Sequence, residues 1–516
     1  MTAVLVAGAG PVGLAVAYEL ARRDVRVRLV DAAPGPATTS RAIATHPRTL
    51  EIYDQMGLLD PILERGQVIA GFTIFQEGRR LVRLAADYAT MPTRFPFTLA
   101  IEQVDTEAVL RAAARDAGVV PEWGVAVDGL EQDGDGVVVS LRHADGSASR
   151  QRVGWLVGCD GGHSTVRKLL RLPLVGASNQ TWLLADAALT ADLPRDSIYF
   201  IRTGGGTLMA VPLRTGDRWR LLDTVDIDAS GGPRAVADRF AAKLTRGLGR
   251  PVRVDTPTWV SVFTAQQRLI QRMRAGRCLL AGDAAHVHSP ASGQGINTGL
   301  QEAYNLAWKL AMVVAGTARD ELLDTYSRER VPVGRALLAS TERATDLVDL
   351  HNPLADLLLP VLMAAVRTVP PLRRRVQARI LSGISGLPLS YVDSPLTVAG
   401  ARTPRPRPGE RLVRFGAEVD AGAVDWLRVQ LRDPRWLLLL GPEVRPDAPD
   451  AGWLSMRTLP DPDGGLARAL ALPPDGWILV RPDGYVSARG TGSVAAAVAS
   501  LPLVPAAPRN AAWTSG

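Results

Sequence analysis

The feature of the sequence that most restricts its fold is a glycine-rich turn between an apolar strand and a helix. Thr2 to Ala7 is short and apolar, which predicts a buried strand, and Val12 to Arg23 has helical periodicity. The turn between them, Gly8-Ala9-Gly10-Pro11-Val12-Gly13, has the glycine spacing of a dinucleotide-binding fingerprint. A second apolar run, Val25 to Val30, completes a βαβ unit. These residues predict an α/β fold with a parallel sheet.

Each glycine of this turn has a distinct expected role. Gly8 permits the tight turn, Gly10 lets the backbone approach a pyrophosphate, and Gly13 allows the helix to pack closely on the strand. Pro11 and Val12 open the helix, whose free N–H groups and positive dipole end attract phosphates. The sequence therefore predicts that a dinucleotide binds here.

The acid that follows the second strand indicates which dinucleotides fit. Asp31 lies about twenty residues after the turn, where a carboxylate accepts hydrogen bonds from the hydroxyls of an adenosine ribose. A carboxylate at this point disfavours a 2′-phosphate. The pocket is therefore predicted to take FAD or NAD, and not NADP.

A second glycine-rich region, far downstream, favours FAD over NAD. Gly282 and Asp283 follow a predicted strand, Arg277 to Ala281, so the Asp283 carboxylate at the next turn is expected to reach a polyol hydroxyl. FAD has such a polyol in its ribityl chain, whereas NAD does not. The loop that follows would open a helix from about Thr298, whose N–H groups stabilise negative charge on the flavin pyrimidine ring. The predicted cofactor-binding residues of this loop are Pro290, Gly293, Gln294, Gly295, Ile296 and Asn297.

Composition argues against several partners. The net charge of +7 comes from 59 Lys+Arg and 52 Asp+Glu, and the basic residues are scattered, so no nucleic-acid partner is expected. The run Arg373-Arg374-Arg375 is interpreted as a solvated face. Only two cysteines, Cys159 and Cys278, occur in 516 residues, which predicts a cytoplasmic protein with reduced, buried thiols. No uninterrupted apolar run reaches about 18 residues, so no membrane partner is expected.

Other chemistries lack their sequence signatures. His286 and His288 lie near Asp283, but no further His, Cys or Glu cluster completes a metal shell, so no metal is expected. A Gly-x-Ser-x-Gly elbow, a Trp-x-Trp pair and a Cys-x-x-Cys motif are all missing from the sequence. Hydrolysis, flavin halogenation and disulfide reduction are therefore disfavoured.

Taken together, these motifs resemble the class A FAD-dependent aromatic-ring monooxygenases, in the subgroup that hydroxylates aromatic polyketides and phenols. The resemblance covers about residues 3–345 strongly and the remainder weakly. It is carried by the N-terminal fingerprint, Ser40-Arg41-Ala42, Gln103, Cys159-Asp160-Gly161 with Arg167, Gly282-Asp283-Ala284-Ala285-His286, Asn297-Thr298-Gly299 and Asn305 to Leu310. Glu302 departs from the pattern, because an Asp is common there; we expect the change to be tolerated.

The resemblance implies roles for individual residues. Arg41 would lie by the FAD pyrophosphate or the isoalloxazine edge, and Pro290 would line the site where oxygen reacts; these two are the predicted catalytic residues. Gln103 would contact the ribityl or phosphate region. The Val127 backbone would meet the adenine. Asp160 would belong to a motif tied to both FAD and the nicotinamide cofactor.

The resemblance also implies a reaction. NAD(P)H, with NADPH favoured, would reduce the flavin, and O2 would add to give a C4a-hydroperoxide that oxygenates a polycyclic aromatic polyketide or related phenol or quinone. Baeyer–Villiger insertion or epoxidation would use the same cofactor chemistry, and a non-catalytic FAD-containing binder of a reactive intermediate is an alternative of another class. The protein would be a monomer or homodimer. Predicted pocket-lining residues are Phe72, Phe95, Phe97, Tyr199 and Trp219.

The implied architecture has a para-hydroxybenzoate hydroxylase-like fold of class α/β. Residues 1–71, 101–175 and 270–345 would form a discontinuous Rossmann-like FAD-binding domain. Residues 72–100 and 176–269 would form an inserted, mainly antiparallel β-sheet substrate domain. Residues 346–402 would be a helical segment and linker. Residues 403–516 would form a small thioredoxin-like α/β domain without a Cys-x-x-Cys motif.

Overall fold

The computed structural model describes most of the chain. It leaves out Met1, Arg41, Gly205, Pro446 and residues 86–91, 288–292, 349–352, 399–403, 414–418, 448–451, 461–463, 496–497 and 499–516. The two predicted catalytic residues, Arg41 and Pro290, therefore lie outside the described residues.

Strands and helices are labelled in chain order. The strands are β1 Val4–Ala7, β2 Val27–Asp31, β3 Ala44–Thr45, β4 Gln67–Ile69, β5 Gly71–Gln76, β6 Arg79–Ala85, β7 Thr98–Ala100, β8 Glu122–Trp123, β9 Val125–Gln132, β10 Val137–His143, β11 Ala148–Val153, β12 Trp155–Gly158, β13 Val175–Thr190, β14 Ser197–Thr203, β15 Gly206–Pro212, β16 Arg218–Asp223, β17 Arg253–Val254, β18 Trp259–Leu269, β19 Arg274–Ala275, β20 Cys278–Leu280, β21 His286–Val287, β22 Trp436–Leu440, β23 Leu454–Thr458, β24 Gly476–Val480 and β25 Val486–Thr491. The helices are α1 Pro11–Ala21, α2 Pro47–Met56, α3 Leu59–Leu63, α4 Gln103–Asp116, α5 Thr165–Leu169, α6 Gly232–Leu248, α7 Gly295–Val314, α8 Asp324–Val348, α9 Pro353–Thr368, α10 Pro370–Ser385, α11 Ala421–Leu431 and α12 Gly465–Ala469.

A largely parallel sheet carries the glycine turn. Its order is β19-β20-β12-β1-β2-β8, and β1 pairs in parallel with both β2 and β12. β20 pairs in parallel with β12, although more than a hundred residues separate them along the chain. The segments before and after the 176–269 region therefore meet in one sheet, and the expected βαβ unit of β1, α1 and β2 is confirmed.

A second sheet is mainly antiparallel and is built from residues 71–85 and 175–269, with the short strand β21 added at one edge. Its main path runs β21-β18-β13-β16-β15-β14-β5-β6, with β17 paired to β13. β5 and β6 come from residues 71–85 and join β14 by a parallel pairing. The sequence predicted only strands across this region, and α6, Gly232–Leu248, was missed. Its apolar residues Val236, Phe240 and Leu244 form a single stripe that packs against one face of this sheet.

The C-terminal part forms a small mixed sheet of order β23-β22-β24-β25. β22 is parallel to β23 and antiparallel to β24, and α11 and α12 pack against the sheet through an apolar core. The other face covers Trp308 and Met312 of α7. The C-terminal sheet therefore packs directly on a helix of the N-terminal half.

A buried ionic cluster reinforces this junction. Arg481, which follows β24, donates two hydrogen bonds to Glu329 of α8, at 2.7 and 2.9 Å, and Lys309 of α7 donates another at 2.7 Å. Arg481 also binds Asp483 at 2.6 and 2.9 Å. Burial would raise the pKa of Glu329, but the charges of Arg481 and Lys309 outweigh it and hold this pKa far below its usual range. The carboxylate is therefore ionised and shared by two cations.

We predict that Glu329→Gln lowers the free energy of unfolding by about 3–5 kcal/mol, because two buried cations lose their common partner. Urea unfolding followed by tryptophan fluorescence would measure the change. The control is Asp238→Ala on α6, whose pair with Arg234 is exposed on both sides and should contribute less than about 1 kcal/mol. Equal losses in both variants would contradict a dominant role for the buried cluster.

Candidate active site

One large cavity lies between the parallel sheet and the antiparallel sheet. Its volume is about 1300 Å³. Pro11 and Val12 of α1 line one end, whereas Phe200 and Met209 of the antiparallel sheet line another. Helices α9 and α10 contribute apolar side chains, including Leu359 and Ile380. Ligand pockets are commonly about 300–1,000 Å³, so this space is large enough for more than one small molecule.

The three fingerprint glycines have different surroundings. A Cβ on Gly13 would lie 1.8 Å from the Gly8 carbonyl oxygen, and a Cβ on Gly8 would lie 2.3 Å from the Cys159 carbonyl oxygen. Gly8 also has a φ of +103°, which favours glycine. At Gly10, in contrast, no heavy atom lies within 4 Å of the Cβ position, and the residue lines the cavity. Gly8 and Gly13 are therefore required for packing, and Gly10 leaves open space.

The two acids of the nucleotide half are held by backbone N–H groups. Asp31 accepts hydrogen bonds from the N–H groups of Ala9, at 2.6 Å, and Ala33, at 2.8 Å. Asp160 accepts from the Thr165 N–H at 2.7 Å, and thereby caps α5. Asp31 thus fixes the glycine turn to the end of β2. The Asp160 side chain stabilises a helix terminus, while the adjacent Gly161 lines the cavity.

Gln103 and Val127 are placed differently from each other. Gln103 is the first residue of α4, and it lines the cavity. Its amide accepts from the Ala42 N–H at 3.3 Å and donates to Glu107 at 2.9 Å. Val127 is buried in the apolar core beside β10 and is not among the residues that line the cavity.

The Asp283 turn lies against the start of α1. Gly282 has a φ of +64°, and a Cβ there would lie 2.9 Å from a Val12 methyl group. Asp283 is exposed and lines the cavity close to this contact. The structure therefore brings the upstream and downstream glycine motifs together.

The N-terminus of α7 also faces the cavity, which Gly293, Gln294, Gly295 and Ile296 line. The helix begins at Gly295, and its N-cap residue makes no side-chain capping bond. Asn297 acts on the loops: its amide donates to the carbonyls of Ala44, at 2.8 Å, and Gly293, at 2.7 Å, and accepts from the His46 N–H at 2.9 Å. The side chain therefore holds two loops in place.

Glu302, noted in the sequence only as a departure from the family pattern, connects parts of the site in a way that the sequence did not predict. It is fully buried on α7, accepts the Gly282 N–H at 2.9 Å, and binds His286 Nε2 at 2.8 Å. Nη2 of Arg330, on α8, lies 3.9 Å from Oε1 of Glu302. The carboxylate therefore ties the Asp283 turn to two helices. No local motif marks it, because its partners are distant in sequence.

The expected aromatic lining was wrong for most of its members. Phe72 lines the cavity, but Tyr199 and Trp219 pack with α6 on the opposite face of the sheet. Phe95 and Phe97 pack against the core of the nucleotide half. Because side chains alternate along a strand, Phe200 lines the cavity where its neighbour Tyr199 cannot.

Two classes of site are not found in the described part of the chain. Its His, Cys, Asp and Glu residues form no group of three or more that could hold a metal ion. Among the same residues, no helix combines the length and apolar character needed to cross a membrane.

Comparison with known proteins identifies the class. Residues 1–341 match the family described as FAD binding domain. The match covers well over half of the chain, so the protein belongs to this family, in the class of flavin-dependent monooxygenases.

Individual relatives cover nearly the whole chain. The sequence is 49% identical to 6-methylpretetramide 4-monooxygenase of Streptomyces rimosus, over 97% of this chain and 94% of that one. The structure is similar to OxyS anhydrotetracycline hydroxylase from Streptomyces rimosus, with a TM-score of 0.74 and 31% identity over 95% of both chains. It is also similar to the flavin-dependent monooxygenase PieE in complex with FAD and substrate, with a TM-score of 0.78 and 26% identity over 95% and 96% of the two chains.

The Glu302–His286 pair predicts a pH dependence of stability. Burial would lower the pKa of His286, but Glu302 outweighs it and raises this pKa above the ordinary 6.5. Burial would likewise raise the pKa of Glu302, but His286 and Arg330 hold it below the ordinary 4.5. The contribution of His286 to the free energy of unfolding is therefore complete below pH 6.5, and it is lost as the pH rises through the raised pKa of this histidine. The glutamate contribution is complete above pH 4.5.

We expect Glu302→Gln to cost about 3–5 kcal/mol at pH 6, and less as the pH rises above 6.5. Denaturant unfolding of both proteins between pH 5.5 and 9 would measure the difference. Glu131→Gln, at an exposed pair with Arg150, should give a small difference that does not vary with pH. A Glu302→Gln difference that stays constant, or increases towards pH 9, would contradict the assignment.

Proposed function

We propose that this monooxygenase binds FAD, consumes NAD(P)H, with NADPH as the favoured form, and uses O2 to oxygenate an aromatic polyketide intermediate. The observation that carries the proposal is the continuity of one cavity, which runs from the open side of the Gly10 turn to an apolar sheet face. FAD bound at the Gly10 end and a substrate bound on the sheet face would therefore meet in the same space.

The residues at the nucleotide end fit FAD. The space beside the Gly10 Cα is open, so a pyrophosphate could approach the backbone there, next to the first N–H groups of α1. Asp31 is proposed to bind the adenosine ribose and Asp283 the ribityl chain. The N-terminus of α7 would face the pyrimidine ring, where its dipole favours negative charge. Contacts of Arg41, Gln103, Val127, Asp160 and Pro290 with the cofactors remain part of this proposal.

FAD, once reduced by NAD(P)H, supplies the activation of O2 for transfer of one oxygen atom to an electron-rich ring. The chain's own contribution is orientation and exclusion of water. Apolar side chains of the sheet, including Phe200 and Met209, and of α9, including Leu359 and Met363, form most of the cavity wall. An enclosure of this kind strengthens each polar contact inside it and protects reactive species from water.

The proposed substrate is a polycyclic aromatic polyketide or a related phenol or quinone. The names of the relatives include 6-methylpretetramide and anhydrotetracycline as the molecules on which those proteins act. The volume of about 1300 Å³ supports a large substrate beside the flavin. Baeyer–Villiger insertion or epoxidation would need the same cofactor, and product analysis separates these outcomes.

We further propose the domain division outlined from the sequence, with a thioredoxin-like C-terminal domain. The strand order β23-β22-β24-β25, with one parallel and two antiparallel pairings, supports this topology. No cysteine follows Cys278 in the sequence, so the domain would act through packing and not through thiol redox chemistry.

The purified protein should be yellow and should release FAD on denaturation. With NADPH and anhydrotetracycline or a panel of polycyclic phenols under ¹⁸O₂, we expect a product one labelled oxygen heavier than its substrate, by mass spectrometry. Addition of substrate should accelerate NADPH oxidation. Colourless protein that does not bind added FAD, or FAD-loaded protein that labels no member of the panel, would refute the proposal.

Two alanine variants at the fingerprint separate packing from cofactor binding. Gly10→Ala should leave the thermal midpoint of the apoprotein within about 2 °C, since its Cβ meets no neighbour, but should weaken FAD binding at least about tenfold because the Cβ occupies the phosphate approach. Gly13→Ala should unfold at a clearly lower temperature, since its Cβ would overlap the Gly8 carbonyl. Flavin fluorescence quenching measures the affinity. Unchanged FAD affinity in Gly10→Ala would argue against a pyrophosphate at this turn.

A further inference from the structure

The cavity face of the antiparallel sheet is organised in three rows of side chains that run across the strands. The middle row is apolar: Ile74 pairs with Phe200, Phe200 with Met209, Met209 with Leu222, and Leu222 with Leu184. All five residues line the cavity. Together they form a continuous apolar surface that crosses five strands.

The rows on either side of it carry polar groups. Two residues further along the strands in one direction, Arg202 of β14 pairs with Thr207 of β15. Two residues further in the other direction, Arg220 of β16 pairs with Asp186 of β13. Arg202, Thr207 and Arg220 also line the cavity. Arg202 with Thr207 therefore forms one polar end of this face and Arg220 the other, although Val211, which pairs with Arg220, is apolar and also lines the cavity.

Both guanidinium groups are nearly excluded from solvent. Arg220 is 2% exposed and Arg202 is 6% exposed. Asp186 accepts from Arg220 Nε at 2.6 Å and from Nη2 at 2.7 Å, which fixes the orientation of this guanidinium. The central carbon of this guanidinium lies over the Trp259 ring, 4.8 Å from the ring centroid, which is a cation–π distance. A buried, oriented guanidinium gives a strong and directional hydrogen bond to an oxygen ligand.

The spacing of the rows sets the length of the ligand. Rows two residues apart are separated by about 6.6 Å along a strand, so the row of Arg202 and the row of Arg220 lie about 13 Å apart in the strand direction. This distance exceeds the width of one aromatic ring and is comparable with several fused rings. A single-ring phenol could reach one polar end, but not both.

We propose that the sheet binds a flat substrate of several fused rings, whose face lies on the middle row and whose oxygen substituents bind Arg220 at one end and Arg202 with Thr207 at the other. This inference rests on the proposed function for the location of the substrate and adds the residues that select its length. Arg220 and Arg202 are specificity-determining residues in this arrangement, and Asp186 is a positioning residue that acts through Arg220.

Binding of two probes to the FAD-loaded protein, without NADPH, tests the proposal through changes in flavin absorbance. Anhydrotetracycline has four fused rings with oxygen substituents distributed along them, whereas 2-naphthol has two rings and one hydroxyl. The variants are Arg202→Gln and the double variant Arg220→Gln with Asp186→Asn, which avoids an unpaired buried carboxylate. Arg253→Gln, at an exposed position on β17, is the control.

We expect both variants to weaken anhydrotetracycline binding about tenfold or more, the effect of losing a hydrogen bond to a charged group. The single hydroxyl of 2-naphthol can use only one end, so at most one variant should weaken its binding. FAD content should match that of Arg253→Gln, and all affinities are compared at a temperature at which thermal unfolding shows every variant to be folded. The proposal is overturned if either variant leaves anhydrotetracycline affinity unchanged, if both variants weaken 2-naphthol equally, or if the wild-type protein binds 2-naphthol as tightly as the four-ring probe.

These outcomes are independent of turnover. If both probes bind in the expected pattern but ¹⁸O₂ labels neither them nor the wider panel, the proposed function fails and the length selection stands. If oxygenation occurs without the pattern, the function stands and the assignment of the two arginine ends fails.

Discussion

The parallel pairing of β12 with β20 is the contact on which the rest of the site depends. It joins two halves of a sheet that the chain separates by more than a hundred residues, and it places the Asp283 turn next to the glycine turn of α1. Val12 lies between them. A Cβ atom placed on either Gly282 or Gly299 would be in contact with its side chain. Neither half alone would bury its apolar strands or enclose a cavity.

The close packing around this pairing explains why the fold tolerates little change at a few glycines and more at others. Gly8 and Gly13 lie directly against backbone atoms, whereas Gly10 faces open space. The same motif therefore combines two constraints, one from folding and one from a ligand. The fingerprint pattern does not distinguish them, because both are satisfied by the same residue type.

Local patterns predicted the elements of the nucleotide half well. The β1, α1 and β2 unit and the strand before Gly282 occur within a few residues of their expected bounds. The family resemblance, read from the same residues, is confirmed by the match over residues 1–341. Local patterns could not predict on which face of the antiparallel sheet a side chain lies. Tyr199 and Trp219 were expected in the cavity because α6, which covers them, was not predicted.

The buried charged residues that connect distant helices and strands could not be predicted from the sequence either. Glu302 binds His286 and the Gly282 N–H, and Glu329 binds Arg481, a residue that lies more than 150 positions away. Such pairs depend on the tertiary fold, and each partner alone resembles an ordinary charged residue on a helix. The predicted contact of Asn297 with a cofactor stays a prediction, and the sequence did not indicate that its amide also holds the backbone of two loops.

Helix α7 joins the two ends of the molecule. Its first turn faces the cavity, and Lys309 and Trp308, further along the same helix, lie within the ionic and apolar junction with the C-terminal sheet. A ligand that favours one position of this helix would favour the same position at the junction, and docking of the C-terminal sheet would in turn strengthen the binding of that ligand. Because linkage is reciprocal, any coupling carried by α7 would act in both directions, so the C-terminal sheet would affect ligand binding by as much as the ligand affects docking of the sheet.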